Sequence, residues 1–365
     1  MTPELRDWAS WALQQGESLP CLPASQWELV IRHTRSANVL ARIAVQLQSA
    51  GQLDNVLIAP RAHLQAALQL CRAQQEGVRC ETTLIAEALR GLDVPVVLLK
   101  GAAYVMAGLP AAQGRLFSDI DILVPRAALP QVESNLRLAG WMSTHLDEYD
   151  QRYYRQWMHE LPPMQHIRRG TTLDVHHNIL PSTVRRPPDA ELLLSQAQPL
   201  PNHAGLFVLA PPDMLLHSMT HLFHNDDLSH GLRDLSDLDL LLRHYSDMPG
   251  FWQSLLDRAK LLHLQIPLAY GLWATNHLLR TPVPDAVLQQ SQSPEFAGRM
   301  AAPMQWLWRR VLRSPHKEAA LPGATVASFA LYIRAHWLRM PPLLLVRHLV
   351  IKTWKRLSSR TPTPT

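Results

Sequence analysis

Residues 96–124 read VVLLKGAAYVMAGLPAAQGRLFSDIDILV, and the order of elements in this run decides the fold class. VPVVLL (94–99) is a short β-branched run, long enough for a buried strand and too short for a helix. Lys100-Gly101 follows, then a helical AAYVMAGL closed by Pro110. SDIDILV (118–124) predicts a second strand, PRAALPQVESNLRLAG (125–140) a helix ended by Gly140, and a third strand begins at Trp141. MQHIRRGTTLDVHHNI (164–179) reads as a hairpin with Arg169-Gly170 at its turn. On this reading the protein is α+β, with a small mixed β-sheet core at 94–180 between a helical N-terminal region (1–93) and a helical C-terminal region (181–365).

Asp119 and Asp121 lie two apart on the second strand, so their carboxylates share one face while Ile120, Ile122 and Val124 face the core. Two carboxylates within about 7 Å repel unless a cation lies between them, and hard oxygen ligands suit Mg²⁺. Asp174 and His176 repeat the spacing in the hairpin. If that strand neighbours the first, three acids surround two metal ions, as in two-metal phosphoryl or nucleotidyl transfer, with Asp174 as ligand and base. Lys100 and the helix start at Gly101 supply positive charge and free N–H groups for phosphate. Arg115 offers a bidentate fork to the β- and γ-phosphates, and Ser118 and His176 complete the nucleotide-site candidates. Singly these signals are commonplace; their order carries the weight.

The run VVLLKGAAYVMAGLPAAQGRLFSDIDILV, with LDVHHNI after it, resembles bacterial nucleotidyltransferase-family proteins of the DNA polymerase β-like superfamily, in the branch reading LKG…R…DIDILV…LDVH. It is also similar to abortive-infection nucleotidyltransferase toxins. The resemblance spans about residues 94–180 and continues loosely through LRDLSDLDLLL (232–242). It implies an NTP-using, Mg²⁺-dependent enzyme that moves a nucleoside monophosphate onto an acceptor, with metal carboxylates at Asp119, Asp121 and Asp174 and a phosphate turn at Lys100-Gly101. Ala102 stands where many members carry Ser or Gly, and His176-His177 replaces a His-Trp pair. The expected function is NMP transfer from an NTP, with ATP first in order, to a hydroxyl-bearing acceptor. The alternatives are a macromolecular acceptor (a protein side chain or a tRNA end) and a degenerate module that only binds NTP.

Outside this core the 365 residues are 47% apolar and 18% charged, which excludes disorder, collagen-like repeats and a disulfide scaffold. Residues 1–90 show helical spacing, with Pro60 at a helix start and Gly51 and Gly91 at helix ends. Cys21, Cys71 and Cys80 form no CxxC pair and leave one thiol unpaired in any scheme, so a reducing cytoplasm is expected. The start MTPELRDWASW has no apolar run, and no signal peptide or spanning helix is expected. Proline-rich breaks near 187–188, 199–201 and 211–212 read as linkers, and the tryptophans as core and cleft packing.

His217, His221 and His224 share a helix face and are expected in a cleft or core, with a metal site as the alternative. Arg233 and Asp234 are candidates for the nucleotide cleft, whereas Asp237 and Asp239 are expected to face water. Residues 301–365 hold eleven Lys/Arg against one acid, Glu318. Within them 343–357 places Leu343, Val346, Val350, Trp354 and Leu357 on one stripe, which either covers the core or meets a partner or the inner membrane face. Nucleic-acid binding is not indicated, since no aromatic-basic motif accompanies the charge.

Overall fold

The computed structural model describes residues 7–144, 147–292 and 302–340. Four helices open the chain: α1 (Trp8–Gln14), α2 (Ala24–Ser36), α3 (Leu40–Ser49) and α4 (Ile58–Ala88). Asp7 caps α1 by accepting from the Ala9 N–H. The helices enclose a core of their own around Trp27, Val30, Ile43, Leu47 and Leu64. Gly51 and Gly91 follow α3 and α4 with φ of 66° and 95°, the left-handed turn that a Cβ disfavours.

The core then alternates β1 (Val96–Leu99), α5 (Lys100–Met106), β2 (Asp119–Leu123), α6 (Leu129–Leu138), β3 (Trp141–Ser143), α7 (Glu148–Trp157), β4 (Met164–His166) and β5 (Thr172–His176). After α8 (Ala190–Leu194) come β6 (Gln198–Pro199) and β7 (Leu206–Val208). The seven strands form one mixed sheet in the order β3-β4-β5-β2-β1-β7-β6. The protein is α+β with helical flanks. Strands β6 and β7 lie in the C-terminal stretch that reads as helical, β6 beside the break near 199–201 that reads as a linker: LFV is three residues long, and Pro199 is tolerated because β6 is a sheet edge, where a missing N–H breaks no ladder.

The remaining helices are α9 (Pro211–His224), α10 (Gly231–Tyr245), α11 (Phe251–Leu261), α12 (Gln265–Leu279), α13 (Asp285–Ser291), α14 (Ala302–Val311) and α15 (Ala324–Arg339). Pro211 and Pro212 form the first turn of α9 instead of a linker, a position where the missing N–H is harmless. Trp27, Trp141, Trp273 and Trp308 are fully buried, whereas Trp306 and Trp337 are exposed, so tryptophan is not confined to the core. Among the described residues no helix is long and apolar enough to cross a membrane. The 343–357 stripe lies outside the described residues.

One close approach seats the N-terminal helices on the core. Gly114 has φ of 69°, and a methyl group there would collide with the α3 backbone at Arg42. Arg42 then reaches past it to the carbonyls of Ala111 (2.7 Å) and Gln113 (3.3 Å).

Candidate active site

Strands β2 and β5 pair in parallel, with Asp119 beside Thr172 and Asp121 beside Asp174. Adjacent residues in register project to the same face, so the pairing carries the hairpin acid to the two strand acids. Asp119, Asp121 and Asp174 each place a carboxylate oxygen within 4.8 Å of the others. Ile120, Ile122 and Val124, on the alternate parity, are buried in the core.

Asp121 is the hub. Lys100 Nζ lies 3.0 Å from its Oδ1 and His176 Nε2 lies 3.0 Å from the same oxygen. Glu160 Oε2 is 3.2 Å from the other His176 nitrogen, so the imidazole bridges two carboxylates. Lys100 reaches Asp121 from the left-handed first residue of α5 (φ 43°), directly after β1, a conformation that costs a non-glycine residue about 1–2 kcal/mol. Burial works against the Asp121 charge, but the Lys100 ammonium and His176 outweigh it and hold the carboxyl well below the usual range. Asp174 goes the other way: burial, and then the Asp121 carboxylate beside it, push it up to about 7. Its Oδ1 is shut off from solvent with no hydrogen-bond partner among the described residues. Crowded acids with an orphaned oxygen fit a hard divalent cation, which would satisfy that oxygen and relieve the repulsion.

Two clefts open at this cluster, one at Asp119 alone and one at all three acids. One, of about 270 Å³, is lined by Lys100, Arg115 and Arg233 with Asp119, His221 and Asp234. The other, of about 230 Å³, is lined by Asp174, His176, His159, Glu160, His224 and Arg339. Both include Lys100, Asp119 and His221. Ser118 sits at the rim of the first and donates to Asp119 (2.8 Å).

Arg115 does not stand free. Its Nε donates to Asp237 Oδ2 (2.8 Å), and its guanidinium lies 5.2 Å from the Phe117 ring centroid. Gly101 makes room for it: a Cβ there would collide with Arg115 Nη1 and lie 2.7 Å from Phe117 Cδ1. Asp237 Oδ1 also accepts from Arg42 Nη2 (2.8 Å), and Arg42 Nη1 donates to Ser236. Asp237, expected in water, is therefore 3% exposed between two arginines. The reason is that α10 is covered on this face by α3 and the 111–115 loop, whose cations the acid balances. Asp239 is half-buried and bonds Thr281 and Arg243. Arg233 and Asp234 pair with each other (2.8 Å) at the cleft wall.

Of the three α9 histidines, His217 is buried while His221 and His224 line clefts. None belongs to a group of three potential metal ligands among the described residues. Burial, and then the Lys100 charge, lower His217 to about 3. An unfolded histidine titrates near 6.5, so the neutral ring contributes stability that is complete above about pH 6.5 and is lost as pH falls toward 3. Denaturant melts from pH 7 to 4 should show stability falling by up to about 1.4 kcal/mol per pH unit from this group, and His217→Met should flatten that slope. An unchanged slope in the variant would show that other groups carry the acid sensitivity.

Sequence spacing did not reveal Glu160, Arg42 or the buried role of Asp237. Glu160 lies between the two strand motifs with no spacing that ties it to either, and Arg42 stands far along the chain from both. Asp237 sits on a helix whose acidic spacing mimics a solvated face.

A family model described as an uncharacterised nucleotidyltransferase matches residues 23–280, a span that includes the lining residues named for both clefts except Arg339. No curated protein and no solved structure matches the chain.

Proposed function

The chain belongs to this nucleotidyltransferase family, and from that premise we propose that it moves a nucleoside monophosphate from an NTP, ATP first, to a hydroxyl-bearing acceptor with Mg²⁺. The observation that carries the reading is the convergence of Asp119, Asp121 and Asp174 from two strands, beside a cleft that sets Lys100, Arg115 and Arg233 among four acids. Two Mg²⁺ ions on these carboxylates would supply Lewis acidity toward the triphosphate and lower the pKa of the acceptor hydroxyl.

The chain's own groups do the rest. Lys100, Arg115 and Arg233 line the first cleft, each already paired with an acid, and orient the β- and γ-phosphates through their remaining N–H donors. The acceptor enters the second cleft beside Asp174. Its oxygen forms a bond to the α-phosphorus, the bond from that phosphorus to the bridging oxygen breaks, and pyrophosphate leaves through the first cleft. The hydroxyl proton passes to the Asp174 carboxylate, through the oxygen that a metal would leave free. Glu160 and Asp121 fix the His176 ring between them and so hold the Asp121 carboxylate in place.

Incubating the protein with α-labelled NTPs, Mg²⁺ and a cell extract tests the reading. The expected result is metal-dependent pyrophosphate release with label in one fraction, and whether that is small molecule, protein or RNA names the acceptor class. Absence of release with every NTP, while NTP still binds, would favour a binding module instead.

A further inference from the structure

A third opening meets Asp119, a slot of about 220 Å³ between α4 and the start of β2. Gln74, Gly77, Val78 and Glu81, spaced three and four apart, form one wall from a single face of α4, and Phe117 lines it from the other element. Gly77 lies inside a 31-residue helix, where glycine costs roughly 1 kcal/mol relative to alanine. Among the described residues nothing lies within 4 Å of the place a Cβ would occupy, so no described packing neighbour accounts for it. The missing side chain leaves bare helix backbone along the slot. One turn on, Glu81 is 7% exposed. Its Oε1 accepts from Arg169 Nε (2.6 Å), and its Oε2 is buried without a partner among the described residues.

We infer that this slot holds the nucleobase of the NTP and that Glu81 selects a base carrying an exocyclic amino group over uracil. The inference rests on the proposed transfer reaction. In-line displacement puts the incoming hydroxyl and the leaving pyrophosphate on opposite sides of the α-phosphorus. The cleft holding Lys100, Arg115 and Arg233 suits the pyrophosphate and the cleft at Asp174 suits the acceptor, which leaves the slot for the nucleoside. Its walls are apolar enough for a planar ring, and Phe117 offers an aromatic neighbour. A buried carboxylate oxygen only accepts, so it pairs with the amino hydrogens of adenine, cytosine or guanine. In uracil the ring N–H stands between two carbonyl oxygens that repel the carboxylate.

Calorimetry with Mg²⁺ and three probes tests this: α,β-methylene ATP, α,β-methylene UTP and inorganic tripolyphosphate. Wild type should bind the ATP analogue at least about tenfold tighter than the UTP analogue, the scale of one charged hydrogen bond. Gly77→Leu, which fills open space and favours the helix, should weaken the ATP analogue at least about tenfold and leave tripolyphosphate unchanged. Glu81→Gln, which keeps an acceptor for Arg169, should shrink the ATP-to-UTP ratio. Wild-type affinity for the ATP analogue in Gly77→Leu would overturn the slot, and equal affinities for the two analogues in wild type would overturn the base selection. Failure of wild type to bind any of the three probes would instead remove the transfer reading beneath the inference.

Discussion

Asp121→Asn should lower label transfer about 10³-fold, the loss of several kcal/mol of metal-borne transition-state stabilisation at about 1.4 kcal/mol per tenfold. The change is isosteric, yet it removes the one charge that Lys100 and His176 both meet. Asp121 is 3% exposed, so the variant also leaves the Lys100 ammonium short of its bonded partner. Taking one member from a buried pair costs roughly 3–5 kcal/mol, moderated here by Asp119 close by. Transfer assays and denaturant melts run together separate the two effects. Tripolyphosphate binding should persist, because Arg115 and Arg233 remain. A variant that transfers nucleotide at the wild-type rate would show that this carboxylate holds no catalytic metal.

The second large effect is on the fold. Asp237→Ala leaves Arg42 and Arg115 buried without their shared anion, and breaking such a pair destabilises by about 3–5 kcal/mol. Asp237→Asn keeps one acceptor and should cost less. Arg115 loses its anchor in Asp237→Ala, so tripolyphosphate affinity should fall with stability in that variant. A double-mutant cycle checks that the three side chains act as one unit. Arg42→Met in the Asp237→Ala background should cost much less than Arg42→Met alone, since the burden of an unpaired cation is then partly removed. Additive losses would mean that Arg42 stabilises through its carbonyl contacts with Ala111 and Gln113 and not through the acid.

These two residues also mark how far the sequence could be read. Alternation along a strand is local, so the shared face of Asp119 and Asp121 follows from spacing alone. Their meeting with Asp174 depended on β2 and β5 being neighbours in register, a non-local pairing that turn chemistry does not set. The hairpin turn at Arg169-Gly170 was legible because glycine marks it, and Gly170 has φ of 72°. Strand β7 was not, because three apolar residues between turns carry no period.

Asp237 was misjudged for a related reason. Helical periodicity tells which residues share a face and not what covers that face, and here α3 from a distant segment does. Arg115 was placed beside the phosphate site by its distance from Asp119, but its clamp by Asp237 and its seat over Gly101 needed the tertiary structure. The N-terminal helices gave no functional signal at all in sequence. In the fold they contribute Arg42 to the buried ion network and one wall of the slot beside Asp119.

Crystals grown with Mn²⁺ and α,β-methylene ATP, measured at the manganese edge, put the central claim to its most direct trial. Anomalous density should lie among the carboxylates of Asp119, Asp121 and Asp174, with the triphosphate running toward Arg115 and Arg233. Manganese bound elsewhere, or bound here with Asp174 turned away from it, would contradict a shared metal centre built from the two strands.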